Sequence, residues 1–193
     1  MFTIARTVAS IASVAIVGLS LTACGLRPLT LVAPKDGAKV VVSGIDVEIF
    51  DVGVGSPTLA QGKQDKDFYV PEQKIIERLP AKLMAAGVPA RAKLVSILPG
   101  DPVPTPNQVF GATPANVVLV LRKLNSETIC TTTCNTSTWY RVSLQDRQTG
   151  TEHWASRLHL GSTEHGLEIN MRGIGIFVDQ VVSELQKVIV VKS

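Results

Sequence analysis

NVVLVLRKL, residues 116–124, opens with an unbroken apolar run and closes on a basic pair before its last leucine. A short run of that kind is consistent with a strand covered from both sides. The flanking chain supports a sheet around it. After CTTTC (130–134), TWYRVSLQ (138–145) alternates Tyr140, Val142 and Leu144 against Trp139, Arg141 and Ser143. DRQTG (146–150) is a hairpin turn ending in glycine. EHWASRLHL (152–160) then places Trp154, Ser156, Leu158 and Leu160 on one face.

Upstream, KVVVSGIDVEIF (39–50) is β-branched, and its alternation slips at Gly44, which predicts a bulged strand. VPEQKIIERLPAKLMAAG (70–87) has Ile75, Leu79 and Leu83 at four-residue spacing, joined by Ile76 and Met84. It reads as a helix with Pro71 in its first turn, Gly87 just past its end, and a kink or break at Pro80. AKLVSIL (92–98) is a second short strand, and PGDPVPTPNQVFGATP (99–114), with five prolines, reads as an extended loop. The stretch 51–69 is polar, contains glycine, and is too long for an ordinary connection. Near the C-terminus Ile174, Phe177, Val178, Val181, Val182, Leu185, Val188 and Ile189 recur at three and four, the apolar stripe of an amphipathic helix. The order β-α-β-β-β-β-α predicts an α/β two-layer sandwich: a mainly antiparallel sheet of four to five strands with two helices on one face.

Little here points to catalysis. Gly62-Lys63 is followed by Gln64, so the phosphate-loop frame G-x-x-x-x-G-K-[ST] is missing. His153 and His159 are six residues apart on one strand, and His165 follows without the spacing of a metal site. No serine sits in a G-x-S-x-G elbow. The acidic residues form no pair suited to acid and base work. The expectation is a protein without catalytic activity, metal or cofactor.

The N-terminus changes the question to one of place. One basic residue, Arg6, precedes the apolar stretch TVASIASVAIVGLSL (7–21), and no acidic residue occurs before Asp36. That stretch has the length of a signal-peptide core and is shorter than a spanning helix needs. Leu21-Thr22-Ala23-Cys24 resembles the bacterial lipobox. The resemblance implies that residues 1–23 are removed and that Cys24 is acylated on its sulfur and amine, the covalent lipid being the protein's anchor. Gly25, rather than Asp, implies the outer membrane, with the domain facing the periplasm. Residues 24–37 then read as a lipidated start and tether, and 38–193 as one domain. Cleavage leaves 170 residues carrying 18 basic and 16 acidic side chains, too small an excess to mark a nucleic-acid binder. With Cys24 assigned to lipid, Cys130 and Cys134 remain as a pair in an oxidising compartment, and a disulfide stapling the hairpin is expected. As a metal pair C-x3-C lacks a second pair of ligands, and as a reactive dithiol it lacks C-x-x-C spacing.

Two further resemblances follow from the same residues. Cys24 followed by Gly25-Leu26-Arg27-Pro28-Leu29 resembles the start of the LPS-assembly lipoproteins that plug an outer-membrane barrel. Ala115-Asn116-Val117-Val118-Leu119-Val120, then Asp146-Arg147-Gln148-Thr149-Gly150 with Trp154 beyond, resembles a hairpin of other envelope lipoproteins. Those are the penicillin-binding-protein activators, the curli-secretion lipoproteins and the auxiliary lipoproteins of ABC-type transporters. Asn116 stands where that phrase usually has Asp. These resemblances imply an accessory, partner-binding subunit of an envelope assembly or transport machine, with a lipid or small-ligand carrier as the alternative. The expected contact surfaces are the uncovered sheet face and the loops 51–70, 99–114 and 125–138, with Trp139, Trp154 and Phe110 as contact residues. Oligomeric state is not legible in the sequence.

Overall fold

A computed structural model describes residues 27–52, 71–97, 100–130, 134–161 and 169–192, with backbone alone at 51–52, 128–130, 134–136 and 169–171. Its strands are β1 (Leu29–Val32), β2 (Val40–Val42), β3 (Ile45–Val52), β4 (Ala90–Ile97), β5 (Val117–Cys130), β6 (Cys134–Asp146), β7 (Glu152–Gly161) and β8 (Ile189–Val191). Its helices are α1 (Pro71–Ala85), α2 (Pro106–Phe110) and α3 (Ile169–Val188). Six strands form one sheet in the order β1-β7-β6-β5-β3-β4. The pairs β1–β7, β7–β6 and β6–β5 are antiparallel, whereas β3 runs parallel to both β5 and β4. The fold is the α/β sandwich that the element order predicts, with a larger sheet.

The sixth strand comes from the stretch that composition assigns to a tether. Leu29–Val32 adds β1 to the edge of β7, and Ser156 Oγ donates to the Leu29 carbonyl at 3.1 Å. Gly44 marks a break and not a bulge. β2 ends at Val42 and pairs in parallel with β8, while β3 starts afresh at Ile45. A Cβ at Gly44 would lie 3.2 Å from the Pro89 carbonyl oxygen, so the chain passes where a side chain fits poorly.

α1 is one helix through Pro80 and not the two short helices that were the alternative to a kink. Pro80 lies buried among the residues of that helix facing the core, so tertiary packing offsets the hydrogen bond its missing N–H forfeits. Met84, expected on the apolar face, is exposed instead.

α1 and α3 cover one face. There Val47, Ile49, Leu119, Leu121, Tyr140, Leu144, Trp154 and Leu158 meet Ile75, Leu79 and Leu83 of α1. From α3 come Ile174, Phe177, Val178, Val181 and Leu185. α3 approaches β7 so closely that a Cβ on Gly173 would strike the Gly161 carbonyl oxygen. Tyr140 Oη donates to Glu72 Oε1 at 2.6 Å, fixing the first turn of α1 to the middle of β6.

Two expected loops are ordered differently. The proline-rich stretch holds the one-turn helix α2, started by Pro106 and by a reciprocal cap between Thr105 and Gln108. The stretch 125–138 belongs mainly to a long hairpin. β5 and β6 pair as far as Cys130 opposite Cys134, whereas β3 leaves β5 at Arg122 and β7 leaves β6 at Ser137. Among the described residues, no other strand pairs with the hairpin beyond those points, and it forms a two-stranded arm there.

Candidate functional site

Alternate residues of the same strands make the sheet's other face, and its chemistry is different. Phe50, Val95, Val118 and Val120 form a small second apolar cluster, with Val109 of α2 packed on it. Around this cluster the side chains are charged.

The Asp46 carboxylate is the hub, with 1% of its surface exposed. Arg91 Nε donates to its Oδ1 at 2.7 Å, and buried Arg147 Nη1 donates to its Oδ2. Arg147 also donates to the Gly111 carbonyl at 2.6 Å and to Asn107 Oδ1 at 3.2 Å. Arg91 reaches the Phe110 carbonyl at 3.2 Å, and Lys93 Nζ the Val109 carbonyl at 2.6 Å. Three cations thus grip carbonyls at the C-terminal end of α2, where the helix leaves acceptors unpaired. The result is a clamp holding residues 105–111 onto β3 and β4.

The DRQTG turn aims one arm of that clamp. Asp146 Oδ1 accepts from the N–H groups of Gln148 (2.9 Å) and Thr149 (2.7 Å), and Gly150 closes the turn at φ +69°. The Thr149 N–H chiefly holds the Asp146 carboxyl below its ordinary range. Asn116, where the resembling phrase has Asp, accepts from the Ser43 N–H at 2.9 Å and donates to the Val41 carbonyl at 2.8 Å. A carboxylate could not make the second bond.

Glu48, two residues along β3 from Asp46, is 2% exposed, and its Oε1 has no hydrogen-bond partner. Burial pushes its pKa up to about 7, against the pull of the Arg122 charge. Further across, Trp139 and His159 lie with ring centroids 4.6 Å apart, and Arg157 stacks 4.2 Å above the Trp139 ring. His159 Nε2 also meets Ser137 Oγ, and burial lowers its pKa, favouring the neutral ring. A cleft of about 370 Å³ opens beside the turn, with Lys35, Lys39, Asp146 and His153 among its lining residues.

Of the residues expected to contact a partner, Trp139 alone lies at this surface. Trp154 is 1% exposed on the helix-covered face and fills the core. Phe110 is 7% exposed, beneath the cations of Arg91 (5.0 Å) and Lys93 (5.6 Å). Both are packing residues and not the contact residues that the sequence suggests. Cys130 and Cys134 face each other in register at the far end of the arm. Cys24, His165 and the stretch 53–70 lie outside the described residues. Alternation places Asp46 and Glu48 away from the core and would read them as solvated. Asp46 is covered by Arg91, Arg147 and Thr113, which a strand pattern does not reveal.

No family model and no curated protein matches this chain. Among solved structures, it is similar to the PelC dodecamer from Paraburkholderia phytofirmans, at 11% identity and a TM-score of 0.46, over 86% of this chain and 99% of that one. It is also similar to the lipoprotein GNA1162 from Neisseria meningitidis, at 15% identity and a TM-score of 0.42, over 75% and 98%. At those scores neither likeness bears on function. Among the described residues, no helix is long and apolar enough to cross a membrane.

Proposed function

We propose that the protein is an outer-membrane lipoprotein, anchored by acyl groups on Cys24 and facing the periplasm, that serves as a non-catalytic accessory subunit of an envelope assembly or transport machine. The observation that carries the partner-binding role is the arm. Among the described residues, sheet neighbours end at Arg122 and Ser137, yet the hairpin continues to Cys130 and Cys134, with residues 122–127 exposed. An isolated two-stranded ribbon is marginal in water, and a partner surface would stabilise it. A Cys130–Cys134 disulfide would close its end. The carrier alternative, with an acyl chain between sheet and helices, draws no support from a layer filled by Trp154, Tyr140 and Phe177.

The test is crosslinked recovery from the native envelope, comparing wild type with Cys24→Ser and with a Leu124→Asp arm variant. One stoichiometric membrane protein, recovered with wild type and depleted with both variants, is the expected result. Recovery of no such protein with wild type would overturn the reading. Intact mass of the same material, before and after thiol alkylation, reads the acyl groups and the disulfide together.

A further inference from the structure

Three arginines stand directly opposite one another across three strands. Arg122 of β5 pairs with Arg141 of β6, and Arg141 pairs with Arg157 of β7. Like charges in cross-strand register destabilise a sheet, so this row costs stability unless something compensates it. Among the described residues, only Arg141 of the row has a carboxylate partner, Glu152 at 2.7 Å. Glu48 adds a field at Arg122 without a hydrogen bond. Arg157 Nε is buried with no hydrogen-bond partner. The Arg122 and Arg157 guanidinium groups lie over the rings of Phe50 (4.9 Å) and Trp139 (4.2 Å). A stacked guanidinium keeps its edge donors available to an oxyanion.

The row continues into apolar surface. Leu29 of β1 is the register partner of Arg157 and is 56% exposed, with Leu31 and Arg27 exposed beside it. Leucine, tryptophan and arginine side by side make the chemistry of a membrane interface. The anchor lies within reach, because Leu29 is five residue steps from Cys24, at most about 17 Å of extended chain. β1 and β6 run in the same direction, so β1 begins at the end of the sheet from which the arm projects.

From this geometry we propose that the Arg122–Arg141–Arg157 row, with Trp139 and Leu29 at its side, docks the domain on the phosphate headgroups of the membrane that holds its anchor. The proposal rests on the lipidation of Cys24 for its setting. Headgroup phosphates supply the missing counter-charge, Trp139 sits at headgroup level, and Leu29 enters the acyl boundary. The acyl anchor makes the contact intramolecular, so a weak headgroup affinity suffices to orient the domain.

The test uses the mature chain from residue 24 carrying Cys24→Ser, so that no acyl group contributes. Binding to phosphatidylcholine vesicles doped with phosphatidylglycerol is followed by sedimentation and tryptophan fluorescence. The expected result is binding that salt weakens. Replacing all three arginines by glutamine lowers it on the order of a hundredfold, and replacing them by lysine keeps it within a few fold. Equal binding to phosphatidylcholine alone, or by the glutamine variant, would overturn the proposal. A fluorescence response to inorganic phosphate without vesicle binding would also overturn it, marking a site for a soluble anion. Absence of acyl groups on protein from the native envelope would refute the anchor and leave the vesicle result to stand by itself.

Discussion

The two faces of the six-stranded sheet use alternate residues of the same strands, yet they are held by opposite means. Toward α1 and α3, Val47, Leu119, Leu144 and Trp154 are covered by apolar side chains and stabilised by burial. Toward α2, Asp46, Glu48, Arg91 and Arg147 lie around a four-residue apolar cluster. There the stability depends on each charge finding a partner. The comparison teaches where the fold is robust and where it is conditional. Burying apolar area is stabilising at any pH, whereas a buried ionic clamp is only as good as its least satisfied member.

The contrast breaks most severely from the apolar side. Trp154→Ala removes the largest fully buried side chain and is expected to cost about 4 kcal/mol. Thermal unfolding should register it as a fall in Tm of about 10 °C. A smaller fall than Leu83→Ala produces would show that the core is not centred on the sheet. The charged side comes next. Asp46→Ala leaves Arg147 buried without its anion and is expected to cost about 3 kcal/mol. Arg91 is half exposed and can turn to water, which limits the loss. Denaturant unfolding of the Asp46→Leu, Arg147→Met double variant should recover most of that stability. No recovery would mean that Arg147 acts chiefly through the carbonyls of α2.

The smallest effect sharpens the comparison instead of breaking it. Glu48 has a pKa of about 7 in the fold, against an ordinary value of 4.5. Between those values the folded state binds more protons than the unfolded chain, so stability falls as pH rises through the window. The penalty is complete above about pH 7 and absent below about 4.5. Glu48→Gln should therefore gain on the order of 2 kcal/mol at pH 8 and nothing at pH 4. Unfolding midpoints at the two pH values check this. An equal gain at both would place the effect in packing and not in charge.

Much of the helix-covered face was legible from pattern. Tyr140, Val142 and Leu144 alternate with polar neighbours, and all three are buried against the helices, as are the eight apolar positions from Ile174 to Ile189. Both periodicities follow from backbone geometry, so a one-face core shows itself as spacing. α2 was missed: Thr105-Pro106-Asn107-Gln108 has the composition of a capping box, but five prolines in sixteen residues favoured an extended reading. The arm was not legible, since KLNSETIC lacks the apolar alternation that marks a half-buried strand.

By itself the sequence determined the main strands and the two long helices, the core-facing residues of β6 and α3, the turn at Asp146–Gly150, and the lipobox from which the anchor is inferred. These are local properties, set by the nearest few residues and by the period of the backbone. Only the tertiary structure decided that β3 lies between β4 and β5, that Asp46 meets Arg147 a hundred residues away, and that Arg122, Arg141 and Arg157 share one row. Those relations depend on register between distant strands, where a shift of one residue would move every side chain to the other face.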